Sequence, residues 1–139
     1  MPDEVYLDSA FAIALAVETD EHHARAMTLS FEIEAARTRL VTTHAVLLEV
    51  GNSLSKQRYR NSAVELIEAL NADPTVTILP VTEDLYAHAF RLFSERPDKE
   101  WSLTDCMSFV VMEERKIETA LTSDAHFEQA GFVALLRKS

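Results

Sequence analysis

The stretch Val5-Tyr6-Leu7-Asp8-Ser9 predicts a β-strand that leads directly into a helix. Its first three residues are β-branched, aromatic and aliphatic, a composition that favours a buried strand. The residues after Ser9 are almost all apolar, and they predict a helix that extends to about Val17. A short buried strand followed at once by a helix is typical of the start of a βαβ unit, with Asp8 at the junction.

The same alternation of strands and helices continues along the chain. Further strands are predicted over residues 39–42, 76–79, 119–121 and 132–135. Helices are predicted from Asp20 to about Ala35, over residues 44–57, from Asn61 or Ser62 to about Asn71, from Thr82 to about Ser94, and over residues 102–116. Strands that alternate with helices predict an α/β sandwich with a parallel sheet.

The composition is that of an ordinary globular domain. The chain has 139 residues, of which 47% are hydrophobic and 26% charged, and this balance argues against disorder. Its 2 glycines cannot build a dinucleotide-binding or Walker A loop, and its single cysteine, Cys106, excludes an internal disulfide. The N-terminus is acidic, unlike a signal peptide, and the longest apolar run, residues 10–17, is too short to span a membrane. We therefore expect a single cytoplasmic domain over residues 1–139.

The net charge is strongly negative. The chain has 13 lysines and arginines against 23 aspartates and glutamates, which gives a formal charge of −10. This charge argues against a basic nucleic-acid-binding module. If a protein of this charge acts on phosphates, it needs a positive group to offset its own carboxylates, and a divalent cation would supply one.

Four acidic residues occupy positions that are unusual for exposed side chains, namely Asp8, Glu49, Asp105 and Asp124. Asp8 and Asp124 follow predicted strands, whereas Glu49 and Asp105 lie beside apolar residues in predicted helices. Each also has an ordinary structural explanation. Asp8 fits a helix N-cap, Glu49 a solvent-facing position, Asp105 a Ser102-x-x-Asp105 capping box, and Asp124 a turn.

Taken together, the four carboxylates predict a metal site. In parallel α/β folds the ligand binds beyond the C-terminal ends of the strands, where these side chains would converge. A carboxylate cluster without counter-charge is repulsive, and Mg²⁺ or Mn²⁺ would relieve that repulsion. Such a site favours phosphodiester hydrolysis, because the ion polarises the phosphate and activates water. Gly51, which is costly inside a helix, also predicts close approach of a backbone or a ligand near Glu49.

These residues resemble a known family, the PIN-domain ribonucleases, and in particular the VapC-like toxins of toxin–antitoxin pairs. The matching segments, in family order, are residues 5–9, Glu49 within residues 48–50, residues 102–109, and residues 121–127 followed by Gly131-Phe132. The segments span nearly the whole chain. The last two segments together are the most specific part of the match.

The resemblance implies a PIN-like three-layer α/β/α sandwich with a central parallel sheet, and an endoribonuclease that depends on Mg²⁺ or Mn²⁺. It implies that Asp8 and Asp105 are the principal metal ligands. Glu49 would be a further ligand or a base that orients water, and Asp124 an outer or second-metal ligand.

The resemblance also implies supporting residues and partners. Ser9 and Ser123 would hold the carboxylates through hydrogen bonds. RNA would be the substrate, and a small antitoxin would cover the active site with its tail. The chain would form a homodimer.

The segment Lys56-Gln57-Arg58-Tyr59-Arg60 is the one compact basic stretch, and it is predicted at the end of the helix that carries Glu49. Lys56, Arg58 and Arg60 suit contacts with an RNA backbone, and Tyr59 suits stacking on a base. The structural alternative is a solvated helix C-terminus, where cations interact favourably with the helix dipole.

Other functions are compatible with parts of this pattern. They are a PIN-domain RNA-processing factor that is not a toxin, and a PIN-like module that binds RNA or protein without cutting. A receiver-type signalling domain would also bind magnesium, but it needs adjacent acids after the first strand, and Asp8 is followed by Ser9. We interpret His126 as a loop or cap residue, because Mg²⁺ and Mn²⁺ prefer oxygen, and Cys106 as a small core residue.

Overall fold

A computed structural model describes residues 1–137. Its strands are β1 (Glu4–Leu7), β2 (Arg39–Thr43), β3 (Val76–Leu79), β4 (Thr119–Leu121) and β5 (Val133–Ala134). Its helices are α1 (Ser9–Ala16), α2 (His23–Ala36), α3 (His44–Ser53), α4 (Gln57–Ala72), α5 (Glu83–Glu95), α6 (Leu103–Arg115) and α7 (Ala125–Gln129), followed by a 3₁₀ turn over Leu135–Arg137. The strands form one sheet in the order β3-β2-β1-β4-β5, and all neighbouring pairs are parallel.

Helices cover both faces of this sheet, as the alternating side chains of β1 show. Val5 and Leu7 pack on one face with apolar residues of α1 and α2, such as Leu29. Tyr6 lies on the other face in a core that includes Phe109 of α6. The predicted three-layer α/β/α sandwich with a parallel sheet is therefore confirmed. Within the described part of the chain, no helix is both long and apolar enough to cross a membrane.

The helix predicted over residues 44–57 ends four residues earlier in the structure. Helix α3 stops at Ser53, because Leu54 turns inward and is buried in a small core with Ala12 and Ala63. Helix α4 then begins at Gln57, earlier than predicted at Asn61 or Ser62. The break contains neither glycine nor proline, so no turn signal marks it in the sequence.

Four further details differ from the sequence-based predictions. The backbone around Gly51 is open, and a Cβ there would have no heavy atom within 4 Å, so the predicted close approach of another backbone is wrong. Asp20 precedes α2 rather than starting it, and its carboxylate accepts a hydrogen bond from the amide of His22. Helix α7 was not predicted, and strand β5 is shorter than the predicted strand over residues 132–135.

Candidate active site

The C-terminal edge of the sheet carries the four predicted acids. Asp8 directly follows β1, and Asp124 follows β4 after two residues. Helix α3 begins where β2 ends and carries Glu49, while Asp105 lies in the first turn of α6. The structure brings all four together, since each carboxylate is close enough to others of the set for their charges to interact.

Asp8 is the most buried of the four acids, with 5% of its surface exposed. It occupies the N-cap position of α1, but its side chain makes no capping hydrogen bond. Its Oδ2 instead accepts a hydrogen bond of 2.7 Å from the hydroxyl of Thr122. Burial raises the pKa of Asp8 to about 7, the Thr122 hydrogen bond opposes this shift, and the charge of Glu49 adds to it. The simple N-cap explanation therefore does not account for Asp8.

Glu49 is half-buried on α3 and faces the other acids rather than open solvent. Desolvation raises the pKa of its carboxyl, and the charges of Asp105 and Asp124 raise it further. A hydrogen bond from the hydroxyl of Ser9 acts in the opposite direction and stabilises the charged form. Ser9 therefore lies near one of the carboxylates, and its supporting role stays a prediction.

Asp105 serves as a helix cap and as a member of the cluster at the same time. Its Oδ2 accepts a hydrogen bond from the amide of Ser102, and its own amide donates to the Ser102 hydroxyl, which completes the predicted capping box. Burial raises the pKa of Asp105, and the charge of Asp124 adds to this effect. The adjacent Cys106 is fully buried in the core, as predicted, and burial raises the pKa of its thiol to about 11.

His126 completes a group of metal-binding atoms that the sequence did not predict. A ligand atom of His126 and one each of Asp105 and Asp124 lie within 4.8 Å of one another. The Nδ1 of His126 is 3.2 Å from Asp105 Oδ2 and 3.3 Å from Asp124 Oδ1, so this nitrogen faces both carboxylates. Asp124 caps α7 by accepting a hydrogen bond from the amide of His126, which fixes the imidazole beside the acids.

Thr122 has the supporting role that the resemblance gave to Ser123. The Thr122 hydroxyl is fully buried, donates to Asp8, and accepts from the amide of Asp124 at 3.0 Å. It therefore links two of the four acids. In the described residues, Ser123 contributes only its carbonyl to a side-chain hydrogen bond, which it accepts from Arg137. A buried threonine after a strand gives no sequence signal of its own, because threonine is common in strands.

The basic stretch lies at the start of α4 rather than at the end of α3. Lys56 is the N-cap of α4, and Arg58, Tyr59 and Arg60 lie in its first turn. The structural alternative, in which these cations interact favourably with a helix C-terminus, is therefore wrong, because cations at a helix N-terminus oppose the helix dipole. The three cations are exposed, and Arg60 donates a hydrogen bond to the carbonyl of Ser55 in the turn.

A parallel α/β/α sandwich with a carboxylate cluster at the C-terminal edge is the architecture expected of a nuclease that acts with divalent metals. The profile of the PIN domain family matches residues 5–133, and the chain belongs to this family. The family match excludes the receiver-type alternative. It also confirms the class of enzyme that the sequence predicted.

Named relatives agree with this assignment. The chain is 29% identical over 129 residues to the 23S rRNA-specific endonuclease VapC20 of Mycobacterium tuberculosis, covering 93% of this chain and 95% of the relative. The crystal structure of that protein, described as a sarcin–ricin loop cleaving toxin, matches with a TM-score of 0.81 over 93% of this chain and 96% of its own. The predicted resemblance to VapC-like toxins is confirmed.

Two other solved structures share the fold. One is VapBC2 from Rickettsia felis bound to a DNA fragment from its promoter, with a TM-score of 0.66 and 11% identity over 94% of this chain and 96% of the other. The second is FitAcB from Neisseria gonorrhoeae, with a TM-score of 0.60 and 19% identity over 94% of both chains.

Proposed function

We propose that the carboxylate cluster is the active site of a divalent-metal-dependent endoribonuclease, built on one PIN-like domain over residues 1–139. The observation that carries this proposal is the unbalanced negative charge of the cluster. In residues 1–137, His126 is the only basic side chain that forms an ion pair with any of the four acids. A buried aspartate with a pKa of about 7 and no lysine or arginine partner is stabilised by a bound cation.

The donor set fits a hard divalent ion. Carboxylate oxygens are the ligands that Mg²⁺ and Mn²⁺ prefer, and the imidazole nitrogen of His126 makes Mn²⁺ the better fit if that residue also binds. We assign Asp8 and Asp105 as the principal ligands and Asp124 as an outer or second-metal ligand. A bound ion would neutralise charge on the scissile phosphate and lower the pKa of water.

The chain's own residues orient these groups and accept a proton. Thr122 holds Asp8 through a hydrogen bond, so this carboxylate is oriented before any ligand arrives, and the nearby Ser9 hydroxyl favours the charged form of Glu49. Because burial raises the pKa of Glu49, it is a stronger base than an exposed glutamate. Glu49 is therefore suited to binding the ion or to accepting the proton of the attacking water.

The basic turn at the start of α4 gives the acidic chain a surface for RNA. Three exposed cations within five residues, Lys56, Arg58 and Arg60, oppose the dipole of their own helix, so local helix stability does not explain them. Phosphate contacts do explain them. The half-buried Tyr59 beside them, with Arg58 over its ring at 5.4 Å, is suited to stacking on an unpaired base.

The substrate and partners follow from the relatives. Because the match to the 23S rRNA endonuclease extends over 93% of this chain, we propose a structured ribosomal RNA loop as the substrate. We also propose that the protein is a toxin, acts in the cytoplasm, and forms a homodimer. A small antitoxin would hold it inactive by covering the carboxylate cluster, since two of the similar structures are toxin–antitoxin complexes.

A cleavage assay tests the proposed function. A 23S rRNA fragment that contains the sarcin–ricin loop is incubated with the protein and Mg²⁺ or Mn²⁺, with EDTA as the metal-free arm. We expect one defined cut that disappears with EDTA and with Asp8→Asn. Asp73→Asn is the matched control, because Asp73 lies before β3 at the opposite edge of the sheet. Cutting that continues in EDTA would contradict metal dependence, and binding without cutting would support the non-cleaving PIN-like module.

A further inference from the structure

A buried tyrosine lies beneath the carboxylate cluster. Tyr6 of β1 has no exposed surface, and its hydroxyl oxygen is 2.8 Å from the hydroxyl oxygen of Ser108, which is equally buried. The hydroxyl of Thr43 is also fully buried and lies near enough to the Tyr6 phenol to affect its pKa. We call these three residues the hydroxyl cluster.

Each member of the hydroxyl cluster lies in or next to an element that carries or directly precedes one of the acids. Tyr6 precedes Asp8 by two residues, and the backbone of Asp8 is still extended, so the two side chains point to the same face of the sheet. Ser108 and Asp105 are three residues apart on α6 and therefore lie on the same side of that helix.

Thr43 lies at the start of the third element, helix α3. It is the N-cap of α3, where its hydroxyl accepts a hydrogen bond of 3.3 Å from the amide of Val46. Helix α3 carries Glu49. The hydroxyl cluster thus lies where β1, α6 and the start of α3 meet, next to the segments that hold Asp8, Asp105 and Glu49.

Packing alone does not require a hydroxyl at this place. Tyr6 is surrounded by apolar side chains, including Phe127, whose ring centroid is 6.5 Å away, and a phenylalanine would fill nearly the same volume. A buried hydroxyl must be hydrogen-bonded or it destabilises the fold. The hydroxyl of Ser108 meets this requirement for Tyr6.

We propose that Tyr6 is a positioning residue of the metal site, whose hydroxyl sets the distances among Asp8, Glu49 and Asp105 by bonding β1 to α6 beside the N-cap of α3. The inference rests on the proposed function of the carboxylate cluster. Residues that support metal ligands from behind typically change metal affinity by about 10- to 100-fold when substituted. Tyr6 acts through the backbone of three elements, so the lower end of that range is expected.

The test compares Tyr6→Phe, Ser108→Ala and the double variant with the wild type. The measurements are the melting temperature in EDTA, the Kd for Mn²⁺ by calorimetry, and kcat and KM for RNA cleavage. We expect each single variant to weaken Mn²⁺ binding by about tenfold and to lower kcat with little change in KM. The double variant should regain thermal stability, because both polar partners are gone, without regaining Mn²⁺ affinity.

Ile33→Val is the matched control, since it removes one methylene from the core on the other face of the sheet. It should lower the melting temperature and leave the Kd for Mn²⁺ unchanged. Wild-type affinity in Tyr6→Phe, or affinity that returns with stability in the double variant, would overturn the positioning role. If Tyr6→Phe does not fold, the Kd of Ser108→Ala for Mn²⁺ tests the positioning role in its place. A wild type that neither binds Mn²⁺ nor cuts RNA would refute the proposed function instead.

Discussion

Replacing Asp8 with asparagine should stabilise the metal-free protein at neutral pH. Burial raises the pKa of Asp8 from 3.8 to about 7, so the folded state holds this proton more tightly than the unfolded chain. The wild type therefore loses stability as the pH rises through that window. The loss reaches about 4 kcal/mol at pH 7, of which about 2 kcal/mol arises between pH 5 and pH 7.

The Asp8→Asn substitution removes the negative charge of Asp8 and keeps the hydrogen bond from Thr122. Asparagine has nearly the volume of aspartate, and its side-chain oxygen can still accept the hydrogen bond from Thr122. The advantage of Asp8→Asn over the wild type should therefore grow by about 2 kcal/mol between pH 5 and pH 7, or roughly 5–10 °C in Tm. Thermal melts in EDTA at the two pH values measure this difference directly.

Asp73→Asn is a control with the opposite sign. Hydrogen bonds from the side chain and amide of Thr75 lower the pKa of Asp73, so its charge stabilises the fold above its unfolded pKa. This variant should be slightly less stable than the wild type at pH 7, and the difference should shrink in acid.

The effect of a bound metal ion on the thermal stability is the last measurement. A ligand that binds only the folded state stabilises it by about 2.7 kcal/mol at a hundredfold excess over Kd. The wild type should show such a rise with Mn²⁺ at pH 7, and Asp8→Asn should lose most of it. If Asp8→Asn melted below the wild type in EDTA by the same amount at both pH values, the charge of Asp8 would not be the destabilising group.

Four further results are expected. Replacing Lys56, Arg58 and Arg60 together by glutamine should weaken RNA binding and flatten its salt dependence in a titration from low to high salt, because fewer counterions are released. Gly51→Ala should raise the free energy of unfolding by up to about 1 kcal/mol in a urea titration without changing cleavage, because the site is open and helical. His126→Ala should weaken Mn²⁺ binding by about tenfold in calorimetry, and His126→Gln, whose amide can still donate to the acids, should restore part of it. Sedimentation at micromolar concentration should show a species of twice 15.6 kDa, and a purely monomeric sample would contradict the proposed homodimer.

The fold could be predicted from the sequence because most of its signals are local. Strands of β-branched and aromatic residues alternate with apolar helices, and this order alone specifies a parallel sheet with two helical layers. The start of α6 was also marked locally, by the capping box of Ser102 and Asp105. The boundary between α3 and α4 was not marked, because it depends on Leu54 packing against Ala12 and Ala63 from distant parts of the chain.

Only the acidic residues of the candidate site could be predicted from the sequence. Carboxylates at strand ends and on apolar helix faces are conspicuous in a sequence, whereas Thr122 and His126 have ordinary roles when considered alone. The importance of Thr122 arises from its contact with Asp8, 114 residues away. His126 approaches Asp105 only because α7, a helix of 5 residues, starts directly after Asp124. Contacts of this kind depend on the folded arrangement and not on local pattern.

The structure also shows that capping and metal binding are not alternatives for these acids. Asp105 and Asp124 both cap helices, and both belong to the group that can hold a metal ion. A substitution at either residue therefore removes a cap and a candidate ligand at once, and loss of activity alone would not separate the two effects. Asp8 lies at the N-cap position of α1 without capping this helix. The Thr122 hydroxyl, which donates a hydrogen bond to Asp8, can also donate one to asparagine. Of the three aspartates, Asp8 is thus the one whose substitution tests the charge of the site while the helices keep their caps.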